Sequence, residues 1–346
     1  MRDEIATLTK ELISSPSVTT DIPQLIAIVD IVKKHLPGSP VQSYFKEGIP
    51  SLLFSSQPAQ KKFKIMLHAH LDVMPADHKQ FTPLEKDGKL YGRGAEDTKA
   101  AAAAMILVFK GLNKSLSYPL GLQISTDGIF GGKLSTRVQM ESGVRSEFVI
   151  TSEGTDLSII YQTKGKLVIK LIASDDSTNE AVLRINKTLK TIAKAYPPPK
   201  KETEDMTITL LRIETPIEGE CHAYLDIRYT AENKSDIFKR VQQLLGEQIA
   251  VEIMEDFAPN KTDPNNRYVK RLQEVGEDIL KREIILQKTP GASTVNLLAQ
   301  YCNAVVEFGP VGHDRGHVSI DDEWVNMQSV EDYYEILKKF LLSYNV

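Results

Sequence analysis

Apolar positions along the chain fall into two spacings that follow one another in a regular order. Residues 3–14 and 22–35 carry them at helical intervals, with Thr20 and Asp21 as N-cap candidates before the second stretch. Leu52 to Ser55, Phe63 to Leu67, Leu120 to Ser125 and Glu147 to Thr151 are short runs of strand length, and an alanine-rich helix from about 98 to 112 separates two of them. Such alternation predicts an α/β sheet with helices on both faces. Near Tyr161 the order changes to strand 166–173, helix 178–195, strands 206–213 and 222–230, helix 234–245 and strand 249–256. That is the βαββαβ order of a ferredoxin-like unit, supported by the period-two pattern of Leu167, Ile169 and Leu171. Helix 265–282, strand Ala304 to Phe308 and a helix from about 329 to 343 then resume the first pattern. The expected organisation is a discontinuous main domain, 1–160 and 259–346, into which a small α+β domain, 161–258, is inserted.

Length fits that plan, since 346 residues are enough for roughly two domains of about 150 residues. With 42 Lys+Arg against 46 Asp+Glu the formal charge is −4, and no basic tract offers a footprint for nucleic acid or an anionic membrane. Cys221 and Cys302 have neither disulfide-framework nor zinc-ribbon spacing and read as buried thiols. Arg2, Asp3 and Glu4 carry charge inside what would be an export signal, and the longest apolar run, Ala100 to Phe109, is too short to cross a bilayer. The expectation is a cytoplasmic protein.

Chemistry gathers at the predicted strand ends, where open α/β sheets collect ligands. In Leu67-His68-Ala69-His70-Leu71-Asp72 the side chains of His68, His70 and Asp72 share a face, and a carboxylate beside an imidazole can fix its tautomer while the other nitrogen meets a metal. Gly92-Arg93-Gly94-Ala95-Glu96-Asp97-Thr98-Lys99 leads into the alanine-rich helix. Glu153 follows a later strand, and His317 lies beyond Gly309-Pro310.

His-x-Asp after a strand, Gly-Arg-Gly-x-x-Asp-x-Lys before a helix, a later Glu and a C-terminal His together resemble the aminoacylase and carboxypeptidase G family of zinc peptidases and amidohydrolases. The resemblance spans nearly the whole chain, most specifically at His70 to Pro75 and Leu90 to Lys99. It implies a mixed-sheet α/β/α zinc-peptidase-like main domain with the ferredoxin-like unit as a lid, and leaves a homodimer through that lid open. It also implies His70 and Glu153 as ligands of one zinc, Asp97 as a bridging ligand, Asp72 as the partner behind His70, and His317 on the other zinc. Substrates would be small peptides or N-acyl amino acids.

Departures from the pattern concentrate in one loop. The family places Asp-Glu-Glu before a Gly-Gly, supplying a general base and a ligand for the second metal. Here the stretch is Asp127-Gly128-Ile129-Phe130-Gly131-Gly132, which puts Gly128 at the base and Ile129 at the ligand. One zinc per chain is expected, or two if the site is better preserved, with Asp127 as a shorter substitute base. Glutamates at 128 and 129 should then restore base and second metal. Near the C-terminus either His317 or Ser319 holds the last ligand position. A Gly-x-x-x-His loop is missing after Ala173, and the lid Asn is absent near His222, which is a substitute for substrate binding. Two outcomes stay open: a weakened metal-dependent hydrolase, and a non-catalytic pseudoenzyme acting as a binding or regulatory protein.

Overall fold

The computed structural model describes residues 1–233, 237–246, 248–312 and 322–345. They divide into two compact units, one of residues 1–161, 262–287 and 293–346 and another of residues 162–261 and 288–292.

The first unit is built on a mixed sheet. Its middle strand, Lys62–His70, lies parallel to Leu120–Ser125 on one side and Arg145–Thr151 on the other. Val305–Glu307 continues parallel beyond Arg145–Thr151, whereas Ile49–Ser55 and Val41–Lys46 extend the opposite edge antiparallel. Both Ile49–Ser55 and Leu120–Ser125 are buried along their whole length, as expected of strands covered on both faces. Ile65, Leu67 and Ala69 point into a core shared with the helices Arg2–Ser14, Ala100–Leu112 and Met327–Leu342, while Met66 points into the smaller core on the other face with Met140, Val295 and Leu298. The fold is the mixed α/β class that the alternating pattern predicts. Strands at Val41–Lys46 and Trp324–Asn326 were not visible in the pattern, the first because its residues are almost all solvent-facing and the second because it is three residues long.

The second unit contains a four-stranded antiparallel sheet in the order Thr207–Glu214, Glu220–Tyr229, Gly165–Ser174, Ile249–Phe257. Helices Thr178–Ala195 and Ile237–Gln242 share one core with Leu167, Ile169, Leu171, Leu225 and Ile227, so they cover the same sheet face. This strand order is that of a ferredoxin-like unit.

Phe148 is buried in the first unit with its ring stacked 5.1 Å from Tyr268 and tilted 5.9 Å from Phe340. Phe148→Ala should destabilise that unit by about 3–5 kcal/mol through lost transfer energy and the cavity left behind. The urea midpoint at constant slope measures this, and a change below about 1 kcal/mol would show that the sheet does not depend on this aromatic cluster.

Candidate metal centre

Strand register brings the first two ligand candidates level. His68 pairs with Thr151 in the parallel ladder, and the Ser152 N–H donates to the His68 carbonyl at 3.0 Å. Two residues further along each chain, His70 ends its strand and Glu153 follows the end of its own, so the two come side by side. Asp97 joins them from the turn before helix Ala100–Leu112, where the Thr98 hydroxyl donates to the His70 carbonyl at 2.8 Å. The peptide bond between Asp97 and Thr98 is cis. Donor atoms of His70, Asp97 and Glu153 lie within 4.8 Å of one another, and His70 Nε2 is 3.0 Å from Asp97 Oδ1. Donors at about 2 Å from one zinc ion sit about 3.3 Å apart, so this imidazole and two carboxylates fit such an ion with small side-chain rotations.

Behind His70, its Nδ1 lies 3.3 Å from Asp72 Oδ1, and Asp72 is fully buried. The Asp72 carboxylate accepts from the Thr19 hydroxyl at 2.9 Å and from the N–H groups of Gly128 and Ile129 at 2.8 and 3.2 Å. It can thus hold the imidazole as the Nδ1–H tautomer with Nε2 facing the other two ligands. Burial on its own would make His70 less basic, but Asp97 and Asp72 outweigh it and raise its pKa well above the ordinary histidine range. A cation is what these two carboxylates favour around the ring.

His68, on the same face one step back, has a different role. Its Nε2 lies 3.2 Å from the Thr136 hydroxyl and 3.4 Å from the Ser125 hydroxyl, and burial, followed by the neighbouring His70, pulls its pKa down to about 3. It is a neutral hydrogen-bonding residue of the core. Lys99 is also buried, with its ammonium on the Ser15 carbonyl at 2.8 Å and its pKa lowered by burial to about 7.

Of the other candidates, Asp127 has its carboxylate occupied elsewhere. It accepts the Leu134 N–H at 2.6 Å and the Ser135 hydroxyl, closing the loop onto the next helix. The expectation that it serves as a substitute base therefore meets a carboxylate already committed to the loop. His222 belongs to the second unit, where its Nε2 lies 2.9 Å from Glu220 of its own strand. His317 and Ser319 lie outside the described residues.

Two residues essential to this geometry escaped the sequence reading. Thr19 is 53 positions from the carboxylate it orients. Glu323 accepts the backbone N–H groups of Gly94, Glu96 and Asp97. Local sequence carries no signal for either, because their partners are brought near only by the sheet.

A profile of peptidase family M20/M25/M40 matches residues 66–343, most of the chain. The chain belongs to peptidase family M20/M25/M40. M20 relatives include a LysW-lysine/LysW-ornithine hydrolase of Sulfurisphaera tokodaii, 27% identical over 282 residues that cover 76% of this chain and 78% of that one. A succinyl-diaminopimelate desuccinylase of Nitratiruptor is 24% identical and covers 99% of this chain and 100% of its own. An M20 metallo-carboxypeptidase from Sulfolobus solfataricus has the same fold, with a TM-score of 0.79 at 15% identity and 99% of each chain covered. A dinuclear metal binding M20 peptidase of Bacillus subtilis gives a TM-score of 0.70 at 8% identity, covering 99% of this chain and 97% of that one.

The same loop corrects the expectation that a glutamate at 128 would restore the base. A Cβ on Gly128 would stand 2.3 Å from His70 Cγ and 2.4 Å from His70 Cβ. No side chain fits there while His70 keeps its position. Gly128→Ala, and Gly128→Glu still more, should displace His70 and weaken zinc binding tenfold or more, the scale of second-sphere losses at about 10–100-fold. Isothermal titration with zinc measures this, and tighter binding or a second equivalent in Gly128→Glu would mean that the loop lies elsewhere.

Proposed function

We propose that this M20 protein is a single-zinc amide hydrolase of small peptides or N-acyl amino acids whose turnover is far below that of a two-metal enzyme. The reading rests above all on the convergence of His70, Asp97 and Glu153 with Asp72 fixed behind the imidazole. A zinc ion there would polarise the scissile carbonyl and make water more acidic. The chain's own residues do the rest. Asp72 keeps the His70 ring oriented and its Nδ1 protonated, and Asp97 and Glu153 neutralise the cation.

Low turnover follows from what occupies the loop. Gly128 and Ile129 present backbone N–H groups to Asp72 in place of carboxylates, and Asp127 is spent on Leu134 and Ser135. Loss of a positioned general base lowers rates by about 10² to 10⁴, and absence of a second metal removes several kcal/mol of charge stabilisation. The substrate class agrees with the relatives named as a succinyl-diaminopimelate desuccinylase and as a LysW-lysine/LysW-ornithine hydrolase. His222 is retained as a candidate substrate contact; His317, which the family pattern assigns to the other zinc, holds no metal in this single-zinc reading. The edge strand Thr207–Glu214, with Leu210, Leu211 and Ile213 exposed, is the surface for a homodimer. No helix among the described residues is long and apolar enough to cross a membrane, and a cytoplasmic setting completes the proposal.

Metal analysis of the purified chain should find about one tight zinc, lost in Asp97→Ala because only two protein ligands remain. Turnover of N-acyl amino acids and dipeptides should fall well below the ordinary range of about 1–10³ per second. Two tight equivalents, or ordinary rates, would overturn the single-zinc reading. Zinc-dependent ligand binding without any hydrolysis would make the protein a binding member of its family.

A further inference from the structure

Glu323 immediately precedes strand Trp324–Asn326, which pairs antiparallel with Lys89–Tyr91. That pairing carries the residue across some 230 positions of sequence to the turn that presents Asp97. Its Oε1 accepts the N–H groups of Glu96 at 2.9 Å and Asp97 at 3.1 Å. Its Oε2 accepts the N–H of Gly94 at 2.8 Å and the Arg93 guanidinium at 3.1 Å. The Glu323 carbonyl takes the Gly92 N–H at 2.9 Å, and the side chain is only 7% exposed. The turn from Gly92 to Asp97 is therefore wound around one residue.

The backbone of that turn is shaped to converge on an anion. Gly92 and Gly94 have φ of +148° and +84°, a left-handed pattern that lets the Gly94, Glu96 and Asp97 N–H groups turn inward. Without an acceptor those buried donors would each carry a desolvation cost, so the turn depends on a charged oxygen pair at its centre. Asp97 is the residue whose own N–H is gripped, and its carboxylate lies 3.0 Å from His70 Nε2.

We propose that Glu323 is a positioning residue that sets the zinc affinity of the site by fixing the Asp97 backbone from inside the turn. The proposal rests on the metal-binding part of the functional reading. Glutamine at 323 keeps the volume but turns one acceptor oxygen into an amino group, which must face either the Glu96 and Asp97 donors or the Gly94 and Arg93 donors.

The test compares wild type, Glu323→Gln and Glu323→Asp, with zinc affinity measured by competition with a chromophoric chelator and folding of the zinc-free chains followed by circular dichroism. Affinity should fall about 10- to 100-fold in Glu323→Gln at temperatures where the zinc-free variant is fully folded. A purely structural role would lower the melting temperature and leave affinity intact. Glu323→Asp keeps the charge but withdraws it by one methylene; it should also weaken zinc, and it serves as the decisive variant should the glutamine protein not fold. Wild-type affinity in a folded variant overturns the proposal alone. A wild-type chain that takes up no zinc overturns both the proposal and the functional reading beneath it.

Discussion

His70 is buried between two carboxylates, Asp72 at Nδ1 and Asp97 at Nε2, and the rest of the site is arranged to keep it there. An imidazole in that position is stable only with a positive charge on or beside it, because two uncompensated carboxylates in a buried setting repel each other strongly. Against the effect of burial, the two carboxylates raise the His70 pKa, favouring a proton on the ring, and a bound cation would serve the same need. Thr19 and the Gly128 and Ile129 amides hold Asp72, while Glu323 holds the turn bearing Asp97, so each carboxylate has its own anchor. Register between the parallel strands Lys62–His70 and Arg145–Thr151 adds Glu153 from a third direction.

The loop from Asp127 to Gly132 is packed against the His70 side of the site. Its Asp127 closes the loop on Leu134 and Ser135, its Gly128 lies against the His70 ring, and its amides grip Asp72. The glycine and the two amides brace His70 and its partner Asp72, and the Asp127 carboxylate closes the loop. A glutamate cannot simply be added at 128, since the space its Cβ needs is taken by His70. Departure from the M20 pattern is therefore a packed state, with the glycine required by its neighbour.

Much of this was legible in the sequence. Helices Ile22–His35 and Thr178–Ala195 and strand Leu120–Ser125 match their predicted ranges because long apolar periodicity and N-caps such as Asp21 mark them locally. His70, Asp72, Asp97 and Glu153 could be singled out because glycines and strand ends flank them. Thr19 and Glu323 could not, since a hydroxyl or carboxylate gains its partner only when strands distant in sequence align. The steric meaning of Gly128 was equally hidden, because a missing side chain gives no sign of what fills its place.

X-ray absorption at the zinc edge of the loaded protein tests the single-ion site most directly. The account predicts one imidazole nitrogen among oxygen donors at about 2.0–2.2 Å. It also predicts no metal–metal scattering at the separation of about 3.5–4 Å typical of paired metals. Two imidazoles in the first shell, or a metal–metal vector, would contradict it.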